Sequence, residues 1–177
     1  MKLNLIKRLC LMALLPAAIA SIPPAGAHEA PAAAQKPYRP LSLDDIERFH
    51  GHLGPSVILG VRMGEDAVLN HGFPRCFGIK VEAVCDAAPP GSCLLDGIQL
   101  STGATLGKAN IERKDGDAVE VTMRDEKRKA RIQYRIKDTT RHLLDQWKKD
   151  SLPVDEQARK IYGMNAADLF EINESTE

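Results

Sequence analysis

The order of apolar patterns along the chain predicts an α+β domain in which helices cover a mixed sheet. Two stretches with helical spacing come first, followed by an alternating stretch, a third helical stretch and then three alternating stretches. Strands that are grouped rather than strictly alternating with helices are typical of α+β domains. A further helix and two short helices close the chain, and the predicted core before them is helix, helix, strand, helix and three strands.

Residues 1–27 have the composition of a secretory signal peptide. A basic start precedes an apolar run at residues 9–20, and Ala25, Gly26 and Ala27 form a cleavage site of small residues. The run is too short, and too interrupted by Pro16, to span a bilayer stably. We therefore expect an exported, periplasmic protein without stable membrane insertion.

Residues 28–40 are rich in alanine and proline and are predicted to be a flexible tether. Residues 41–177 then form a single domain, long enough to bury a core of its own. The full chain has 24 basic and 24 acidic residues, and loss of Lys2, Lys7 and Arg8 with the signal leaves a net charge of −3. That balance argues against a nucleic-acid partner, because phosphate binding requires a basic excess.

The first helix is predicted to begin after Ser42 and to end near Gly51. Serine is a good N-cap, and the two aspartates that follow in the first turn favour the positive end of the helix dipole. Pro55 and Ser56 open a second helix, which ends at a glycine stop around Gly72. On this helix Ser56, Gly60 and Gly64 recur every four residues, which predicts a flat face on which another backbone or a ligand can lie close.

The alternating residues 76–84 predict a half-buried strand, and a Pro-Pro-Gly turn follows. Ser92 is placed to cap a third helix at residues 93–101. Three strands are expected at about residues 108–113, 119–123 and 130–136, and Asp115-Gly116 predicts a hairpin turn between the first two. Asp138 is expected to cap the next helix, and short helices at 155–162 and 166–172 complete the chain.

His50 and His52 are the strongest metal-ligand candidates in the sequence. Neutral imidazole is a common ligand for zinc, copper and nickel. Residues two apart do not share a helix face, so the pair fits a metal only if Gly51 breaks the helix between them. The alternative is that one histidine caps the helix and the other packs in the core.

The third helix leads into a glycine- and threonine-rich loop that forms a second candidate site. Asp96 and Gln99 lie three residues apart on one face of the helix, and Thr102, Thr105 and Lys108 follow in the loop. Such a loop can direct backbone N–H groups, hydroxyls and one ammonium group towards a small anion. The alternative is a tight helix-to-strand connection with one capping aspartate.

Three motifs together resemble the E-subunit family of formylmethanofuran dehydrogenase. They are FHGHLGP at 49–55, GVRMG at 60–64 and DGIQLSTGATLGKANI at 96–111. The resemblance implies an α+β fold with a cleft bordered by the two histidines. Site positions that carry over from the family pattern are His50, His52, Asp96, Gln99, Thr102, Thr105 and Lys108.

The chain also departs from the pattern of that family. Gly54 and Ala104 stand where the family motifs have cysteines, and the zinc finger that many members carry at the C-terminus has no counterpart, since no cysteine follows Cys93. Thiolate chemistry therefore does not carry over. An exported protein would also not meet the cytosolic methanogenic complex, so the family's formylmethanofuran substrate is not expected here.

Cleavage of the signal would leave Cys76, Cys85 and Cys93. An odd number of cysteines in an oxidising compartment indicates one disulfide and one free thiol. Cys85 and Cys93 flank the Pro-Pro-Gly turn, and we expect these two to be paired. The alternative is that one of them joins the two histidines around zinc.

The leading hypothesis is a periplasmic metal-binding protein with a cleft between the histidine pair and the loop. His50 and His52 would bind a divalent metal, with zinc expected, Asp96 would orient a ligand or act as a base, and Lys108 would hold a small anionic ligand. Gln99, Thr102 and Thr105 would complete the binding site. The rival hypothesis is a non-catalytic accessory or small-molecule-binding module of a membrane-associated complex. The sequence leaves open the reaction, whether the chain is an enzyme, and whether it forms a homodimer.

Overall fold

The computed structural model describes residues 37–176. The predicted signal peptide and residues 28–36 of the predicted tether lie outside this range. The helices are α1 (Leu43–His50), α2 (Pro55–Leu69), α3 (Leu94–Thr102), α4 (Asp138–Lys149), α5 (Val154–Tyr162) and α6 (Ala166–Leu169). The strands are β1 (Lys80–Cys85), β2 (Ile111–Asp115), β3 (Glu120–Asp125), β4 (Ala130–Ile136) and β5 (Phe170–Thr176).

The five strands form one mixed sheet in the order β2-β1-β3-β4-β5. Strands β1 and β2 are parallel, and the other neighbouring pairs are antiparallel. This arrangement confirms the predicted α+β class. Among residues 37–176, no helix is both long and apolar enough to cross a membrane.

The predicted hairpin at Asp115-Gly116 is wrong, because β2 and β3 do not pair with each other. Strand β1 lies between them, so the chain after β2 must cross the end of β1 before β3 begins. Gly116 makes this crossing close to Val84, since a Cβ at Gly116 would lie 2.5 Å from Val84 Cγ1. An Asp-Gly pair permits a tight change of direction in either arrangement, and local sequence does not distinguish them.

Helix α1 begins and ends as predicted. The Ser42 hydroxyl accepts a hydrogen bond from the Asp45 backbone N–H, and the Asp45 carboxylate accepts one from the Ser42 backbone N–H. These reciprocal bonds form a capping box. Gly51 ends the helix with a φ of 92°, a left-handed conformation that glycine adopts at little cost. The chain can therefore turn directly after His50.

Helices α2 and α3 pack at backbone distance through their glycines. A Cβ at Gly60 would lie 2.1 Å from Leu94 O, and a Cβ at Gly97 would lie 2.0 Å from Val57 O. The small-residue face predicted on α2 is thus confirmed, and Gly97 supplies the matching surface on α3. This contact fixes the position of Asp96, the neighbour of Gly97, relative to the start of α2.

The C-terminal segment is only partly helical. Helix α6 stops at Leu169, and Phe170 begins β5, which pairs antiparallel with β4 from Ile136 to Ala130. Leu169 and Phe170 are both buried. Two adjacent buried side chains fit a helix-to-strand change better than a surface helix, and the exposed backbone edge of β4 supplies the hydrogen bonds. The predicted helix at 166–172 is therefore wrong in its second half.

Other predicted boundaries also differ from the structure. Strand β1 starts at Lys80, and residues Cys76–Gly78 form a 3₁₀ turn in which the Phe77 side chain is 74% exposed. Ser92 lies in a second 3₁₀ turn ahead of α3 and makes no side-chain cap bond. Asp138 is the first helical residue of α4 rather than its cap.

The last residues of the predicted tether pack against the domain. The Tyr38 hydroxyl donates to Glu65 Oε1, and the Arg75 guanidinium lies 4.3 Å from the centroid of the Tyr38 ring. The backbone of Leu41 is held from both sides, by Glu65 through its N–H and by Tyr162 through its carbonyl. The folded unit therefore begins a few residues before the predicted domain boundary.

Candidate functional site

A cavity of about 530 Å³ lies between the α1–α2 break, helix α3 and strand β2. A volume of this size is within the range of small-molecule binding sites. Apolar side chains form much of its wall, and its polar groups come from separate elements. The lining residues are His50, His52, Pro89, Ser92, Cys93, Leu95, Asp96, Gln99, Leu106, Ile111 and Arg113.

His50 and Asp96 form the central polar contact of the cavity. The distance between His50 Nδ1 and Asp96 Oδ2 is 2.8 Å, and the His50 side chain is 7% exposed against 41% for Asp96. An ionised carboxylate only accepts hydrogen bonds, so Nδ1 carries the proton in this contact. Asp96 lies in the first turn of α3, where the helix dipole favours a negative charge.

The other ring nitrogen of His50 is the unusual atom of this site. His50 Nε2 is buried and has no hydrogen-bond partner among the described residues. Buried polar atoms are nearly always paired, so an unpaired one is a position at which a water, an ion or a ligand can bind. A carboxylate on Nδ1 and a free Nε2 is the arrangement in which histidine commonly binds a metal.

His52 lies next to His50 on the same side of the chain break. Their ring centroids are 4.7 Å apart, with an angle of 36° between the ring planes. The left-handed Gly51 turns the chain so that residues two apart meet here. His52 is exposed, and its Nε2 lies beside Gly54, 3.4 Å from where a Cβ would stand. The predicted break between the histidines is confirmed.

Within residues 37–176, no group of three or more His, Cys, Asp or Glu side chains is arranged to hold a metal ion. In this conformation the protein would therefore bind a metal ion through the two histidines alone. Any further ligands would have to be water or a bound anion.

Gln99 lines the cavity, while the predicted loop residues do not. The Thr102 hydroxyl is buried and used within the fold, because it donates to Ile98 O at 2.6 Å and accepts from Ala104 N at 3.1 Å. Thr105 accepts a hydrogen bond from Lys108 Nζ at 3.3 Å. The structure thus places Thr102, Thr105 and Lys108 outside the lining of the cavity that contains the histidine pair.

Lys108 lies beside an aromatic ring rather than in the cavity. Its Nζ is 5.7 Å from the centroid of the Phe77 ring, a distance at which a cation–π contact forms. The cation that does line the cavity is Arg113 on β2. Sequence reasoning missed it, although Ile111 and Arg113 are two apart on a strand and therefore face the same side.

The described cysteines Cys76, Cys85 and Cys93 are free thiols, so the expected Cys85–Cys93 bridge is not formed. Cys85 ends β1 fully buried in the core, whereas Cys93 faces the cavity from the start of α3. Burial, and the Asp96 carboxylate nearby, raise the pKa of the Cys93 thiol. A raised pKa disfavours the thiolate that a nucleophilic cysteine requires.

Comparison with known proteins gives a match over most of the chain. The family described as "FmdE, Molybdenum formylmethanofuran dehydrogenase operon" matches residues 49–174. Among solved structures, a tungsten formylmethanofuran dehydrogenase E-subunit (FmdE)-like protein from Syntrophus aciditrophicus has a similar fold. Its TM-score is 0.52 at 19% identity, and the match covers 76% of this chain and 70% of that one.

A more local match is to a probable S-adenosyl-L-methionine-binding protein from Archaeoglobus fulgidus. The two are 38% identical over 66 residues, which is 37% of this chain and 18% of that protein. The chain therefore spans less than a fifth of the length of this relative. The family match, by contrast, starts at Phe49, includes both histidines, Asp96 and the loop, and ends within β5. The chain belongs to the FmdE family.

Proposed function

We propose that this FmdE-family chain is a periplasmic metal-binding protein that binds a divalent ion, zinc, and a small anionic ligand in the cavity beside α3. The observation that carries the proposal is the buried, unpartnered Nε2 of His50. An acceptor nitrogen in that state fits a divalent cation, and the neighbouring His52 ring provides a second nitrogen.

Each residue of the cavity has a separate role in this proposal. His50 would hold the ion through Nε2, and Asp96 would fix the ring and its tautomer through the 2.8 Å contact to Nδ1. His52 would complete the pair after a rotation of its exposed side chain away from Gly54. A bound zinc ion would supply Lewis acidity to a ligand in the cavity.

Lys108 has a smaller part in this proposal than the sequence suggested. Its contacts to Thr105 and Phe77 hold it outside the cavity lining. The Thr102 hydroxyl is already paired on both sides. The small anionic ligand would therefore be bound by groups at the cavity, with Gln99 among them.

The second candidate is a non-catalytic module that binds a small molecule or a partner protein. Exposed apolar side chains support it, since Phe49 and Leu106 are 54% and 76% exposed. Phe49 precedes His50, and Leu106 lines the cavity. Binding of S-adenosyl-L-methionine or another small molecule by a protein that takes up no zinc, copper or nickel would favour this candidate, and the name of the partial relative makes that compound a useful probe.

Metal content tests the first proposal. Protein purified without a chelator or an affinity tag is expected to carry close to one equivalent of zinc, copper or nickel. His52→Ala should lose most of it, and His142→Ala, which removes an exposed histidine on α4, should not. If wild type and His52→Ala are both metal-free after incubation with each ion, the metal-binding function is wrong.

A further inference from the structure

Arg113 lines the cavity and has one unused hydrogen-bonding edge. Its Nη1 donates to Asp115 Oδ1 and to Cys85 O, at 3.4 Å in the second case. Among the described residues, Nε and Nη2 of Arg113 have no hydrogen-bond partner. These two nitrogens form the side of a guanidinium that binds a carboxylate with two parallel bonds.

The position of Arg113 makes this edge available to a ligand. The side chain is 29% exposed, so the guanidinium is partly desolvated, and its anchor through Nη1 limits its rotation. Lys114, the next residue, faces the other side of the sheet and is paired with Glu82. Arg113 is therefore the cation of β2 that an anion in the cavity would meet.

The surroundings of Arg113 restrict the ligand further. Leu95 of α3, Ile111 of β2 and the exposed Leu106 also line the cavity. A small hydrated anion such as phosphate would leave these apolar walls in contact with water. A ligand with an apolar body would bury them, which stabilises binding in proportion to the area covered.

Two carboxylates near the cavity are already engaged. Asp96 accepts the Nδ1 proton of His50, and Asp115 is bonded to Nη1 on the far edge of Arg113. Neither carboxylate occupies the free edge of the guanidinium. An incoming carboxylate would thus meet the free edge of Arg113 without having to displace Asp96 or Asp115.

We propose that the ligand of this cavity is an organic carboxylate with an apolar body, clamped by Nε and Nη2 of Arg113. The inference rests on the proposed function for the identity of the site, and it names the class of anion that the site takes. The carboxylate lies at the β2 side of the cavity, and the apolar body lies against Leu95 and Ile111. His50 Nε2 remains free for the ion.

The test uses two probes of nearly the same shape, the anionic 4-phenylbutyrate and its neutral amide, 4-phenylbutanamide. Each is titrated into metal-free protein in the presence of EDTA, and binding is followed by the NMR signals of Leu95, Leu106 and Ile111. Wild type is expected to bind the acid about tenfold or more tightly than the amide, since charge-assisted bonds of this kind contribute that much. Arg113→Gln should bind both probes equally.

Two further variants separate charge from geometry. Lys114→Gln removes the adjacent cation on the other face and should keep the wild-type preference for the acid. Arg113→Lys keeps the charge but loses the two parallel N–H donors of the guanidinium, and it should keep only part of that preference. If Arg113→Gln unfolds, Arg113→Lys tests the guanidinium in its place, and equal affinity of wild type for the two probes would still overturn the inference.

Equal affinity of wild type for the two probes would overturn the inference, as would an unchanged preference in Arg113→Gln. A preference for the acid that appears only after zinc is added would also overturn it, because the ion rather than Arg113 would then hold the carboxylate. Failure of zinc binding in the metal-content experiment leaves this metal-free titration unaffected. The two proposals can therefore fail separately.

Discussion

Replacing Gly97 with alanine is expected to lower the free energy of unfolding by about 3 kcal/mol or more. The added Cβ would lie 2.0 Å from Val57 O and 2.6 Å from Val61 N. Both are backbone atoms of α2 and cannot rotate away, so α2 and α3 would have to separate. Chemical denaturation followed by circular dichroism measures the change directly.

Gly107→Ala is the matched control for this experiment. Gly107 is exposed, its φ is not positive, and the nearest atom to an added Cβ is 4.0 Å away. Its substitution should change stability by no more than about 0.5 kcal/mol. If Gly97→Ala is as stable as this control, the backbone contact between α2 and α3 is wrong, and the position of Asp96 beside His50 must be reconsidered.

Asp96→Ala is expected to weaken zinc binding by roughly 10- to 100-fold, the usual effect of removing the carboxylate that orients a ligating histidine. The reason is that His50 Nδ1 would lose its acceptor at 2.8 Å and the ring would no longer be held in one tautomer. Isothermal titration of the metal-free protein with zinc gives the affinity. Asp96→Asn, which keeps an acceptor without the charge, should lie between wild type and Asp96→Ala.

Asp145→Ala serves as the charge control, because it removes an exposed carboxylate from α4, away from the cavity. Its zinc affinity should equal that of wild type. Wild-type affinity in Asp96→Ala would show that the contact between Asp96 and His50 has no part in metal binding. Melting curves of both variants identify any loss of affinity that comes from unfolding.

Local signals in the sequence predicted the local structure well. Helix α1 is bounded by the Ser42 cap and by the left-handed turn at Gly51, and α2 starts with Pro55 at its first helical position. Each effect involves only a few neighbouring residues. The break at Gly51 brings His50 and His52 together. These effects act within one turn of chain, so they can be read without knowing the fold.

The pairing of strands could not be predicted in the same way. The Asp115-Gly116 signal allows either a hairpin or a crossing over β1, and only the whole sheet decides between them. Strand β5 was missed because it forms by pairing with the edge of β4, and β4 is more distant in the sequence than any local signal reaches. The local sequence around Leu169 and Phe170 is compatible with a short helix. The pairing with β4 makes the chain a strand from Phe170 onwards.

The candidate site could be predicted only in part, because it too depends on contacts between residues that are distant in the sequence. The contact between His50 and Asp96 joins residues 46 positions apart, and it was anticipated only as a cleft between two motifs. Thr102 and Lys108 were predicted from residue type, but the Thr102 hydroxyl bonds to the backbone of α3 and of the loop. The Lys108 ammonium group contacts Thr105 and the Phe77 ring. Arg113 was overlooked because a single arginine on a strand carries no motif.

The ligands of the bound ion test the central claim most directly. X-ray absorption spectroscopy at the zinc edge, on protein loaded with one equivalent, detects the scattering pattern of imidazole rings bound to the metal. We expect two imidazoles in wild type and fewer in His52→Ala, with His142→Ala unchanged. A spectrum without imidazole scattering would show that zinc, if bound at all, is not held by His50 and His52, and would contradict the proposed metal site.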